Sequence, residues 1–522
     1  MAEDNSILLN ANIITLNPKN PKAEAVAVQD GKIVAVGTNQ DIRKYENRST
    51  KVIDCKNRTV VSGLIDCHVH MIEFGFFLQQ LDLRNARSIR EMQQQLREHS
   101  AKNPQLDWIL GGRWDQEKFA EKRYPTRWDI DAAIKEKPVF LNRVCGHLSV
   151  ANSKALQLAG ITKHSRIRGG EVVLDKSTRQ PNGILKDNAR DLIWKKIPKP
   201  SREARKKACQ LACKKAVESG LTEVHWLMSS ADEMRILQEM YSADKLPLRV
   251  YLGIPAEESN KIIALGLATG FGNDMLRIGF IKILADGSLG ARTAALKKSY
   301  SDDPKKRGMM LYPQKKLEQL IFRAHTNGLQ LGVHAIGDRA IENVLNAFEK
   351  ALKKSPRKNH RHRIEHCSVM NPKLIRQMKR LNLVASVQPH FVVSDFWTAN
   401  RLGPKRARWV YPFKTFVEEG VFVASGSDCP VELISPLLGI WAAVDRRDNA
   451  QEGLTAEEAL KTYTLDAAYA SYDENKKGTI ETGKYADFTV LSDDVTRIAP
   501  EKIREIAVEM VIVNGKVVYS RD

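Results

Sequence analysis

The sequence predicts a parallel α/β barrel with a metal site at the carboxyl ends of its strands, flanked by a small β-sandwich built from both chain ends. Three observations lead there. An ordered set of ligand-type residues, Asp66-Cys67-His68-Val69-His70, Lys282, His334, His366 and Asp428, falls at or near the ends of short apolar runs. In an α/β barrel the chemistry is assembled from several strand ends on one face. Strand-like runs alternate with helical patterns through the later half of the middle, and the two termini share one strand–turn–strand texture.

In chain order, residues 7–14 and 25–29 read as strands, followed by the turn Asp30-Gly31-Lys32 and further strands at 33–36 and 51–54. Asp-Gly between apolar runs is a strong hairpin signal. The far end repeats this with 486–491, 508–513, the Asn514-Gly515 turn and 516–519. Residues 1–60 and 471–522 are therefore expected to form one sandwich, around a barrel at 61–470. Barrel strands are expected at 60–66, 221–226, 278–284, 329–334, 363–366, 383–388 and 421–425, with helices at 315–326, 339–354 and 372–381. The stretch from about 73 to 215 is too long for one strand–helix repeat. With strand-like runs at 107–114 and 138–144 and a turn-rich segment at 169–183, it reads as an inserted lobe over the barrel mouth that tunes substrate choice.

Composition narrows the class. The chain has 522 residues, 43% hydrophobic and 28% charged, which suits a large globular protein. It contains no apolar run long enough for a membrane span, which needs about 18 residues. Met1 to Asn12 carries Glu3 and Asp4 and no basic segment, which argues against a secretory signal and favours the cytoplasm. Net charge is +20, from 82 basic and 62 acidic residues. The basic clusters at 195–215, 353–362 and 405–408 lack interleaved aromatics, so they read as solvated helix faces and no nucleic-acid partner is expected. The seven cysteines are scattered and odd in number, which suits reduced thiols. Cys67, Cys367 and Cys429 flank proposed ligands, so alternation along a strand should turn them toward the surrounding helices.

His68 and His70 are two apart, so on a strand both imidazoles share one face and suit zinc or a similar divalent ion. Lys282 interrupts an apolar strand. Burial favours its neutral amine, which can take up carbon dioxide as a carbamate able to bridge two metals. The competing reading pairs Lys282 with a carboxylate such as Asp286. His334 and His366 end strands of successive strand–helix units and fit a second metal; core histidines are the bland alternative. Asp428 closes the last strand, where a carboxylate can bind metal and accept a proton from the attacking water, or simply cap a turn.

These residues, together with Gly63-Leu64-Ile65-Asp66-Cys67-His68-Val69-His70, Asp286-Gly287-Ser288-Leu289-Gly290, His334-Ala335-Ile336-Gly337-Asp338-Arg339-Ala340, Arg363-Ile364-Glu365-His366, Gly426-Ser427-Asp428 and the tail Gly478-Thr479-Ile480-Glu481-Thr482-Gly483-Lys484-Tyr485-Ala486-Asp487, resemble the amidohydrolase superfamily over nearly the whole chain. The resemblance is to the long-chain branch that includes N-substituted formamide deformylase-like proteins. It implies a metal-dependent (β/α)8 TIM barrel with a terminal β-sandwich. Carried over, His68 and His70 hold one ion, His334 and His366 the other, a carbamate on Lys282 bridges them, and Asp428 is ligand and general base. Zinc is the first choice for the two ions, with iron, manganese or nickel as alternatives. The resemblance also implies a small-molecule substrate and a homodimer. Trp114, His147, Asp286 and Arg292 echo the branch too, and they are candidates for substrate contacts, as is His390 after another strand. For Trp114 and His147 the alternative is an ordinary place in the lobe, and for Arg292 an ion pair with Asp286 or Asp338.

The function expected is hydrolysis of an amide C–N bond in a small molecule. Deamination, cyclic-amide opening and ester cleavage are alternatives on the same barrel. Lys282 weighs against deamination, which often runs on one metal without a lysine bridge. A basic scaffold that has lost catalysis is the reading from another class, and it sits badly with six retained ligand positions.

Overall fold

A computed structural model gives the structure, describing residues 5–143, 147–167 and 169–521. Val144, the last residue of the expected 138–144 strand, lies outside the described residues, as do Met1–Asp4 of the N-terminal segment. The chain divides into two compact units, Met1–Phe74 with Cys209–Asp522, and Gly75–Ala208.

The first unit contains an eight-stranded parallel sheet: β1 (Leu64–Val69), β2 (Leu221–Leu227), β3 (Arg249–Pro255), β4 (Leu276–Leu284), β5 (Gln330–Ala335), β6 (Arg363–His366), β7 (Val384–Val387) and β8 (Val423–Ser425). Each pairs in parallel with the next, and a parallel bridge between Val69 and Cys429 brings the end of β8 back to β1. The backbone bonds Asp428 N–H to His68 O (2.7 Å) and His70 N–H to Cys429 O (2.8 Å) complete this closure. Strands covered on both faces read as continuous apolar runs, which is why most were legible. Helix Asp338–Lys354 shows the covering layer: Ile341, Val344, Leu345 and Phe348 form its buried stripe. Helix Pro372–Arg380 starts where Asn371 accepts from Leu374 N–H and Pro372 takes a position needing no amide hydrogen.

Two expectations need correction. Residues 60–66 are not one strand. Thr59–Ser62 belongs to a sheet of the terminal sandwich and Leu64–Val69 to the barrel. The break falls at Gly63, where a Cβ would lie 2.2 Å from Thr222 Oγ1, so only glycine lets the two sheets part this closely. Strand β3 went unrecognised, because its inward positions are polar or aromatic. Arg249 pairs with Asp487 at 2.6 Å and Tyr251 donates to Gln330 Oε1 at 2.8 Å, both inside the closed end of the barrel.

The termini pack as two sheets. One is Lys32–Gly37, Ala25–Gln29, Ser6–Leu9 and Lys51–Asp54; the other is Lys516–Ser520, Val508–Val513, Phe488–Leu491, Thr59–Ser62, Asn12–Ile14 and Lys22–Ala23. Leu8, Val26 and Ile53 from the first meet Ile13, Val60, Phe488 and Ile512 from the second in one core. Both hairpin turns have positive φ at their two central residues, 48° and 73° at Asp30-Gly31 and 52° and 77° at Asn514-Gly515, as a type I′ turn requires.

The second unit has a sheet in the order Gly170–Leu174, Pro181–Asp187, Leu148–Ala151, Val139–Arg143, Ile109–Trp114, Leu81–Asp82. It holds its own cores, one around Trp114, Phe119 and Leu141 and another around Phe140, Leu185 and Ile193.

Below the barrel, His325, His360 and His362 form a buried cluster whose bonds specify neutral rings. Leu331 N–H donates to His362 Nδ1 (3.1 Å), so His362 Nε2 carries the hydrogen and donates to His325 Nδ1 (2.9 Å). His325 Nε2 then donates to Ser355 O (2.6 Å), while His360 accepts from His362 N–H and donates to Leu381 O (3.0 Å). Burial, with neighbouring histidines and Arg357 adding to it, pushes His360 down to about 4 and His362 well below its ordinary range. Both folded-state values lie below the unfolded value of 6.5, so the unfolded chain binds more protons and stability falls as pH drops below 6.5. Each group contributes up to about 1.4 kcal/mol per pH unit. In denaturant titrations His362→Gln is expected to be less stable at pH 7.5 yet to show a shallower loss between pH 6.5 and 4.5. An unchanged slope would contradict this.

Candidate metal centre

Asp66, His68 and His70 alternate along and just beyond β1, so all three face the barrel interior. Asp66 does not reach outward for an ion. Its Oδ1 accepts from His68 N–H and Ser427 N–H, each at 3.0 Å, and so ties the end of β1 to the loop after β8. Burial raises its carboxyl to about 6 against the pull of Ser427. That loop presents Asp428, whose Oδ1 lies 3.3 Å from His70 Nε2 and 3.5 Å from His68 Nε2. Ligand atoms of His68, His70 and Asp428 all lie within 4.8 Å of one another.

Lys282 on β4 brings its Nζ to 3.1 Å from His68 Nε2. Burial lowers its pKa to about 8, although Glu365 and Asp428 pull the other way. The expected alternative, a pairing with Asp286, is not what the structure shows. The Asp286 carboxylate accepts from Ala295, Ile336 and Gly337 N–H at 2.8, 3.0 and 2.9 Å. His334 on β5 and His366 on β6 have ring centroids 4.4 Å apart, and His366 lies 4.9 Å from His68. His68, His70, Lys282, His334, His366 and Asp428 line one cavity of about 520 Å³.

Three of the imidazoles are anchored through one nitrogen. His68 Nδ1 meets Glu365 Oε2 at 2.5 Å, His366 Nδ1 meets Gln388 Oε1 at 2.6 Å, and His334 Nε2 meets Gly287 O at 3.2 Å. An acceptor behind one nitrogen fixes the tautomer and leaves the other nitrogen's lone pair for a metal, the usual setting of a metal-bound histidine. Burial depresses His68 to about 4, His334 to about 3 and His366 well below its ordinary range, so the rings are neutral at pH 7. Burial pushes Asp428 up, but His68, His70 and His366 outweigh it and hold its carboxylate well below the usual range. A neutral imidazole set around an ionised carboxylate is a donor set that fits divalent ions.

Backbone strain accompanies the site. His366 and Asp428 adopt left-handed φ of 75° and 57°. Non-glycine residues there cost about 1–3 kcal/mol and persist where the surroundings hold them. Strict alternation along β6 would send His366 to the face opposite Glu365; the left-handed φ breaks the alternation and turns the ring into the cavity.

Glu365 and Arg363 carry no role in the sequence reading beyond their place in a motif. Arg363 is fully buried, donating to Glu365 Oε1 (2.6 Å), His225 Nδ1 (2.7 Å), Cys67 O (2.5 Å) and Ser386 Oγ (2.7 Å). Burial opposes ionisation of Glu365, but the Arg363 charge and His68 outweigh it, so the carboxylate stays ionised. An Arg and a Glu two apart on a strand ending in a candidate ligand are the signal that could have found them, since residues two apart share one face.

The remaining candidates have partners of their own. Arg292 pairs with Asp302 at 2.8 Å, not with Asp286 or Asp338. His390 Nδ1 meets Glu432 Oε2 at 2.5 Å and does not line the cavity. In the second unit Trp114 is fully buried, donating to Leu141 O at 3.2 Å, and packs in one of that unit's cores. His147 is largely exposed beside Asp187 at 3.4 Å. Cys67, Cys367 and Cys429 are buried, and Cys67 packs with Ala424, Ala467 and Ala468 outside the strands.

Comparison with known proteins matches residues 51–519 to the model described as "Amidohydrolase family". YtcJ of Bacillus subtilis, a protein assigned to the amidohydrolases, is 35% identical over 526 residues, covering 98% of each chain. N-substituted formamide deformylase of Arthrobacter pascens is 28% identical over 536 residues, covering 99% of this chain and 98% of its own. Among solved structures, a metal-dependent hydrolase from Pyrococcus furiosus superposes with a TM-score of 0.80 at 30% identity, covering 94% of this chain and all of the other.

Proposed function

The chain belongs to the amidohydrolase family and is a hydrolase acting on carbon–nitrogen bonds, and on that premise we propose that it cleaves the amide bond of a small molecule at a divalent-metal centre. The observation that carries this reading is the convergence of His68, His70, Lys282, His334, His366 and Asp428 on one cavity. His68, His70 and Asp428 would hold one ion, His334 and His366 the other, with Lys282 between them as its carbamate. When bound, the ions supply Lewis acidity at the carbonyl oxygen and make water acidic enough to attack near neutral pH. Zinc suits this nitrogen and oxygen set, and iron, manganese or nickel would also be accepted.

The protein's own groups do the rest. Glu365, Gln388 and Gly287 O hold the histidine rings in place, so little reorganisation is needed on reaction. Asp428, ionised at pH 7 and facing His68 and His70, takes the proton of the attacking water and returns it to the leaving nitrogen. Apolar walls from Leu227, Met228, Leu284 and Leu311 displace solvent around the scissile bond.

Similarity to the N-substituted formamide deformylase of Arthrobacter pascens makes N-substituted formamides the first substrates to try, followed by N-acetyl amides of the same amines. Amine release that stops on chelation and returns with added zinc is the expected result. Ammonia released from amino-heterocycles, with no amide turnover, would replace this reading by deamination, which the compact His68–His70–Asp428 trio would support as a one-ion site.

A further inference from the structure

Large aliphatic side chains stand about half or more exposed around the metal cavity, each close in the backbone to a proposed ligand. Leu284 ends β4 two residues beyond Lys282, so it shares that residue's face, and the strand register sets it opposite His334. Leu311 comes from the return of the long loop after β4. Its N–H donates to Ala285 O at 2.8 Å, beside an antiparallel bridge between Asp286 and Met310, and Ala285 N–H in turn donates to His334 O at 2.9 Å. Val431 lies shortly after Asp428, and its N–H donates to Asp428 O at 2.9 Å. These residues line the cavity, yet Leu284, Leu311 and Val431 are 48%, 48% and 65% exposed. Single exposed apolar residues are ordinary, but several converging on one concave site mark apolar surface that a ligand covers. Leu227 and Met228, buried at and just beyond the end of β2, continue the same lining. The charge around them is one-sided. Lys282 is the only lysine or arginine among the described lining residues, and the proposed centre uses it, while Glu73 and Glu257 share the wall. A substrate carboxylate or phosphate away from the ions would find no ammonium or guanidinium there, and acidic side chains instead.

We infer that Leu284, Leu311 and Val431 are specificity-determining residues that receive a neutral hydrocarbon group of the substrate, so the amides accepted carry an alkyl or aryl group beside the scissile bond and no anionic group on that side. This rests on the cavity being the substrate site of a metal-dependent amide hydrolase. It concerns binding, so it is read without turnover.

The test is calorimetry on the zinc-loaded protein with hydroxamates that share one metal-binding head: acetohydroxamate, hexanohydroxamate and the monohydroxamate of adipic acid, which ends a chain of matching length in a carboxylate. The common head cancels the metal's contribution, so the affinity ratios report on the wall. The wild type is expected to bind hexanohydroxamate at least about tenfold more tightly than acetohydroxamate, because the added methylenes are buried. It should also prefer hexanohydroxamate to the adipic compound by at least about tenfold. Leu284→Ser combined with Leu311→Ser should cut the first ratio by about threefold or more. Both side chains are half exposed, so that variant should melt close to the wild type. Leu311→Arg should narrow or reverse the second ratio by supplying a cation for the carboxylate. A smaller preference in either comparison, or a ratio that its variant leaves unchanged, would overturn the inference. Failure of every hydroxamate to bind would sink the metal-centre reading and this inference with it. Ratios as expected without amide hydrolysis would count against the catalytic reading alone.

Discussion

Asp428→Asn is expected to lower kcat for amide hydrolysis by about 10²–10⁴-fold, the range that a positioned proton-transfer group supplies. Asparagine keeps the size of the side chain and an oxygen near His70 Nε2 and His68 Nε2, which lie 3.3 and 3.5 Å from Asp428 Oδ1. It cannot take a proton from water or return one to nitrogen. Metal content should therefore fall little while turnover collapses, and KM should change less than kcat. Amine release measured on protein of known metal content separates the two effects. A variant retaining a tenth of wild-type kcat would remove Asp428 from the proton path.

Glu365→Leu is expected to have the largest effect on stability, about 3–5 kcal/mol, because it leaves the fully buried Arg363 without its carboxylate. It also takes the acceptor from His68 Nδ1, so metal affinity should fall by about 10–100-fold. The double variant Arg363→Met with Glu365→Leu distinguishes the two roles. Replacing both members of a buried pair by apolar residues restores stability in large part, while the loss of metal affinity should persist because His68 still lacks its partner. Denaturant unfolding of metal-free protein and metal titration of each variant give the two readouts. If the double variant recovers affinity together with stability, Glu365 acts only through folding.

The parts of the site legible in the sequence are those whose residue types clash with their surroundings. His68, His70 and His334 end apolar runs, and Lys282 interrupts one, so each announces a polar purpose at a barrel rim. The turns were legible for a similar reason: Asp30-Gly31 and Asn514-Gly515 supply the positive φ that few other pairs tolerate. What stayed hidden depends on contacts between distant segments. Glu365 matters because β1 places His68 against it, 297 residues away in sequence. Strand β3 hides because its polar positions are satisfied by Asp487 and Gln330, far along the chain. The break at Gly63 follows from Thr222 on the neighbouring strand.

A two-ion centre in which Lys282 takes part is tested by the metal content per chain of the wild type and Lys282→Ala, each purified without added metal. The expected result is about two ions in the wild type and one or none in the variant, because the lysine carbamate would hold them jointly. Equal metal content in both proteins would contradict that account, remove Lys282 from the centre, and leave His68, His70 and Asp428 as a one-ion site.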